Sequence, residues 1–263
     1  MNRPSRSYRI YLIAAACATL ALTVLRTLAL TTALDVDIGY FREGSPLVTA
    51  LYIMEGIFLL AAFSLPFFIG RDTLPAARRP ASLFTLISTG IAALGAAVMI
   101  AILIAHIRIL SAPPLLTVLA LLLLLGAAVF FGLQFLSENP PPRLLLPAGY
   151  GAILSAALLL SITYFDLYTQ MNAPHKVSIH VALLSVMLYL LFDLRPLIGA
   201  ARPRGHAVLS AICFLFSAGF GISNAIAFLA GAYGDVFMLG IDLYLVAFSL
   251  YVAARAIDQI PKE

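Results

Sequence analysis

The chain has 263 residues, 62% of them hydrophobic and 11% charged, with a formal net charge of +4. Soluble domains are typically about 45–50% apolar and about 25% charged, so this composition leaves little room for a soluble domain of any size. The basic excess is no nucleic-acid signal and no nucleic-acid partner is expected, because the arginines sit in short clusters between apolar segments, where orientation signals belong.

The basic N-terminus MNRPSRSYR is followed by an apolar run over 10–34 that is too long for a signal-peptide core, so the run reads as a first membrane helix. Crossing a bilayer core takes about 20 helical residues. Eight segments meet that length, at 10–34, 47–70, 82–108, 113–136, 144–165, 177–198, 206–230 and 236–255. The fourth contains no charge. In the sixth only 16 residues separate Lys176 from Asp193, so it either takes DLRPLIG into the interface or is short and tilted. The fold class expected is therefore all-α: a polytopic transmembrane bundle in one domain, 1–263, with the lipid bilayer as its main partner.

Orientation follows from charge. Arg3, Arg6, Arg9, Arg71, Arg78, Arg79, Arg143, Arg195, Arg202, Arg204, Arg255 and Lys262 share the side of the N-terminus. Arg42, Arg108 and Lys176 fall on the other side. Twelve against three predicts both termini in the cytoplasm, with the plasma membrane as the host. The cytoplasmic connections, GRDTLPAARRPAS, SENPPPR and RPLIGAARPRGH, are short, and their prolines are expected to end helices.

Two longer outer loops, DVDIGYFREGSP and DLYTQMNAPHK, occupy corresponding places in the halves 1–136 and 144–263 and suggest a weak parallel repeat. Tyr40, Phe41, Tyr164 and Tyr168 are expected in an outer aromatic belt. Asp35 and Asp37 make the first loop acidic but lack the geometry of a calcium loop, and no metal site is expected. Cys17 and Cys213 fall within apolar runs and read as small buried hydrophobes.

Charges inside the bilayer are the candidate functional residues, since each costs several kcal/mol unless paired or wet. Arg26 lies eight residues before the outer end of the first segment and Glu55 eight residues into the second. Both are then about 12 Å below the outer boundary and can meet. His106, His180, Asn224 and Asp242 fall in the same outer half, and almost nothing polar is expected in the inner half above the arginine clusters. Asp193 and Arg195 read as an interfacial anchor. The stretches Thr89–Ala97 and Ser217–Ala225 carry small residues at three- and four-residue spacings and are expected to pack closely on neighbouring helices.

No phosphate-binding loop, dinucleotide fingerprint or HExxH motif is present. No catalytic residue and no cofactor are assigned. Three functional classes stand: a small carrier or membrane-embedded binding subunit for a small polar or cationic solute or coupling ion, through Arg26, Glu55, Asp242, Asn224, His180 and His106; a structural, sensory or assembly protein with a membrane-protein partner and no transport activity; and, behind both, a membrane enzyme acting from the outer leaflet through His and Asp.

Overall fold

The structure is a computed structural model that describes residues 3–68, 81–137, 140–167 and 169–260. Among them are eight helices long and apolar enough to cross a bilayer, as expected of a multi-pass membrane protein. They are α1 (Arg3–Thr32), α2 (Pro46–Phe68), α3 (Leu83–His106), α4 (Pro114–Leu136), α5 (Pro142–Phe165), α6 (Pro174–Leu194), α7 (Pro203–Leu229) and α8 (Val236–Asp258). A short 3-10 turn, Arg195–Ile198, continues α6. The connection carrying Arg71, Arg78 and Arg79, and also Tyr168 and Lys262, lie outside the described residues.

Six helices form a closed ring. Each of α3 to α8 packs on the next, and α8 returns to α3. At the seam Asp258 accepts from the Ser82 amide at 2.9 Å and from Thr85 Oγ1 at 2.7 Å, so the last carboxylate of α8 caps the first turn of α3. Helices α1 and α2 lie outside this ring against α7. The consequence is graded burial: 67% of the apolar spanning stretch of α8 is buried against 11% of that of α2. The two sequence halves interlock, since α3 packs on α8 and α1 on α7.

The chain's punctuation differs in part from the expectation. Pro196 follows the end of α6 as expected, but other prolines in the connections open helices: Pro142 and Pro203, like Pro46, Pro114 and Pro174, occupy the first helical turn, where the missing amide would have had no acceptor. The sixth helix runs 21 residues and, with the turn Arg195–Ile198, extends past Asp193 as one of the two expectations had it; Lys176 and Asp193 are both taken into the bundle and do not mark its ends.

The first long connection is a small hairpin in which Leu34 pairs with Phe41 and Asp35 with Tyr40. Asp35 Oδ1 accepts from the amides of Asp37 and Ile38 at 3.1 and 3.4 Å, a local turn that occupies the carboxylate. Gly39, at φ +70°, completes it.

Small residues set the close approaches. A Cβ at Gly95 would lie 2.8 Å from Ala247 Cβ, and one at Gly221 would lie 2.9 Å from the Asp242 carbonyl oxygen. Gly90 faces Phe135 and Gly219 faces Leu22, so both small-residue stretches form helix contacts as expected. Two apolar clefts of about 460 and 510 Å³ flank the alanine-rich first half of α1.

Candidate functional site

The polar side chains gather into two nodes, one near each end of the bundle. The first lies beneath the hairpin and centres on Asp242, which is fully buried on α8. A bare carboxylate there would be costly, and two donors meet it: Asn224 Nδ2 on α7 reaches Oδ1 at 3.0 Å, and His175 Nε2 on α6 reaches Oδ2 at 2.8 Å. Asn224 uses its second amide proton on Ser178 Oγ at 3.0 Å, and that hydroxyl donates to the His175 carbonyl at 2.7 Å. The amide oxygen of Asn224 accepts from Arg26 Nη2 at 3.5 Å.

Arg26 is held on several sides. Nη2 donates to the Pro174 carbonyl at 2.9 Å, the guanidinium stands 4.5 Å from the centre of the Phe220 ring, and Nη1 is 3.7 Å from Glu55 Oε1. The last contact is the loosest, and Glu55 keeps 18% of its side chain exposed. Tyr233, in the α7–α8 connection, lies against His175 with ring centroids 4.3 Å apart. Burial pushes its phenol well above the ordinary range, so it stays neutral. Above the node a cavity of about 340 Å³ opens between the hairpin and the start of α2, lined among others by Tyr40, Glu43, Tyr52, Asn172 and Pro174.

The structure thus joins Arg26, Glu55, Asn224 and Asp242 and adds His175, which looked like a loop residue. The two other candidates stand apart in their bonding. His180 faces Thr163 Oγ1 at 2.9 Å, and His106 Nδ1 contacts the Ile102 carbonyl of its own helix at 2.9 Å. Lys176, counted above among outer topogenic charges, is buried, with Nζ donating to the carbonyls of Asp166 and Thr169 at 2.8 and 3.2 Å.

The second node overturns the expectation of an apolar inner half. Asp193 is buried, and its Oδ2 accepts from the Tyr251 hydroxyl at 2.7 Å. The same hydroxyl, with one proton to give, rests 3.2 Å from Gln134 Oε1. Oδ1 of Asp193 is 3.4 Å from His206 Nε2 and 3.8 Å from Arg255 Nε. Gln259 Nε2 donates to His206 Nδ1 at 3.1 Å, which assigns the proton of the neutral ring to Nε2, facing Asp193. Asp193 is therefore the centre of an internal network of four helices, α4, α6, α7 and α8, and not an interfacial anchor.

Between the nodes runs a polar seam. On α7 it comprises His206, Ser210, Cys213, Ser217 and Asn224, all buried, at spacings of four, three, four and seven. Ser178, Ser185, Tyr189 and Asp193 face it from α6, and Asp242, Tyr244, Tyr251 and Arg255 come from α8. From His206 to Asn224 the seam spans eighteen residues, or about 27 Å, close to a hydrocarbon thickness of about 30 Å. The signal was present in the sequence as a near-heptad run of small polar residues in an apolar helix. Single serines in membrane helices are hard to weigh because their protons usually go to their own helix, as Ser185 donates to Ala182 at 2.7 Å.

No protein-family model matches the chain, and comparison with curated proteins and with solved structures returns no match.

Proposed function

We propose that the chain is a small carrier for a polar or cationic solute, residing in the plasma membrane with both termini in the cytoplasm. One observation carries this reading: five helices, α1, α2, α6, α7 and α8, each bring a polar or charged side chain to the same buried point beneath an open vestibule. Intramembrane charges that converge in this way mark solute and ion sites more often than surface accidents. In this reading Asp242 and Glu55 supply the negative charge for the solute or coupling ion, and Arg26 balances it.

The least buried helix supplies the gate. α2 carries Glu55, and its contact with Arg26 is the longest in the node. Movement of α2 away from α1 separates that pair and opens the vestibule toward Asp242. The test is solute-dependent thermal stability of the purified protein in nanodiscs. A true ligand at a hundred times its dissociation constant adds about 2.7 kcal/mol. That shift is expected to vanish in Asp242→Asn.

A second reading, an assembly protein with no transport activity, draws support from the outer face of α2. There Ile53, Ile57, Leu60, Phe63 and Phe67 are exposed and suited to lipid or to a partner's helix. A flat response across a broad panel of amines, amino acids and inorganic cations favours this second reading.

A further inference from the structure

We propose that the α6–α7–α8 seam is a proton path whose end stations are Asp242–His175 beneath the hairpin and Asp193–His206 at the end of the bundle that holds the termini. The proposal rests on the carrier reading, for which it names the coupling ion.

Each station pairs a buried carboxylate with an imidazole, at 2.8 Å for Asp242–His175 and 3.4 Å for Asp193–His206. Such a pair can hold one extra proton without leaving hydrocarbon, because the charge is shared between groups already in contact. A single pair of this kind is ordinary architecture. Two of them, on the same three helices, about a membrane thickness apart and linked by a stripe of hydroxyls and one thiol, are not explained by helix packing.

The midsection supplies the second observation. Tyr189 and Tyr244 are fully buried, yet among the described residues neither phenol hydroxyl has a hydrogen-bond partner. Buried unmatched hydroxyls are uncommon and each calls for a reason. Both lie within electrostatic reach of Cys213, whose Sγ is 3.6 Å from Ser217 Oγ. Tyr189 also lies within reach of Asp193 and Tyr251, and its ring is 5.4 Å from that of His206. Tyr8, Thr27 and Tyr233 also carry unmatched buried hydroxyls, but outside the seam; Tyr189 and Tyr244 are the two in the interval between the stations, where a relay needs groups free to accept a proton on one side and give one on the other.

The surroundings bear on both stations. Asp242–His175 is faced by Asn224 from α7, Arg26 from α1 and Tyr233 from the α7–α8 connection. Asp193–His206 is faced by Tyr189 from α6, Gln134 from α4, and Tyr251, Arg255 and Gln259 from α8. α1 adds Tyr8 and Tyr11 beside Ala207, and α7 itself carries Arg204. In transfer, one proton from water joins the Asp242–His175 pair. Each hydroxyl or thiol in turn accepts a proton and passes its own onward, directly or through water, and Asp193–His206 releases one proton at the far face. Every group ends as it began.

The experiment uses the whole protein in liposomes that contain a pH-sensitive dye, with a potassium diffusion potential to drive protons. Proton flux above that of empty liposomes is expected for the unmodified protein. In Tyr244→Phe and Tyr189→Phe it falls to the leak of empty vesicles. These variants remove only hydroxyls that no described residue uses, so folding is retained, and thermal stability in nanodiscs checks this. Tyr150→Phe, on a half-exposed residue of α5, keeps the flux. Absence of flux in the unmodified protein, full flux in both seam variants, or an equal fall in Tyr150→Phe each overturns the path. Solute stabilisation without proton flux keeps the carrier and removes the path, while flux without any solute response keeps the path and removes the carrier.

Discussion

Replacing Arg26 and Glu55 singly and together tests whether these two charges recognise each other. At 3.7 Å a full ion pair is worth about 4 kcal/mol at an effective dielectric constant of 20. The pair falls short of that limit because Glu55 is partly exposed and no hydrogen bond joins the two groups. Polar contacts between membrane helices average about 0.6 kcal/mol, and contacting residues couple by roughly 0.5–3 kcal/mol. The expected coupling is thus about 1 kcal/mol, near the lower end of that range. The single substitutions should be unequal. Glu55→Gln leaves Arg26 on the Pro174 carbonyl and Asn224 and should cost about 1–2 kcal/mol. Arg26→Met strips those acceptors and strands a carboxylate, at about 3–5 kcal/mol. Unfolding of the purified proteins in mixed micelles of a mild detergent and sodium dodecyl sulfate measures all four corners of the cycle. A double variant additive within about 0.3 kcal/mol refutes direct recognition, and equal single costs refute the assigned role of Pro174 and Asn224.

Tyr251→Phe removes the short donor to Asp193 and should cost about 1–3 kcal/mol in the same unfolding assay, since the carboxylate stays buried. Gly221→Val drives a side chain into the backbone of α8 beside Asp242, where even a Cβ comes within 2.9 Å; a loss of about 1–3 kcal/mol or more, or failure to accumulate folded protein, is expected. For orientation, Cys17 and Cys213 are first replaced by alanine, and then Glu43→Cys should react with an impermeant thiol reagent in intact cells while Arg202→Cys should not. Both positions are exposed, so reversed labelling inverts the assignment of the termini. Asp166 would be a poor reporter for that experiment, because it is buried and its Oδ2 accepts from the Thr169 amide at 3.0 Å.

By itself the sequence determined the eight helices, since a run of about 20 apolar residues has one low-energy form in a bilayer, with every backbone amide satisfied inside its own segment. It also determined the meeting of Arg26 with Glu55, because a short hairpin places consecutive antiparallel helices side by side at matched depth. The small-residue contacts of Gly95 and Gly221 were legible for the same reason: spacing on one helix is a local property. What depended on tertiary structure was which distant helices face one another. Closure of α8 onto α3 and docking of α1 and α2 on the outside of α7 are choices of packing among surfaces that are all apolar, and hydropathy does not rank them. Those choices brought His175 from an apparent loop to Asp242, buried Lys176, and gathered Asp193, His206, Gln134 and Tyr251 from four helices into a second node. A charge near a helix end reads in sequence as an anchor in water. Whether it turns inward depends on the donors that other helices bring to it, and only the folded bundle supplies those.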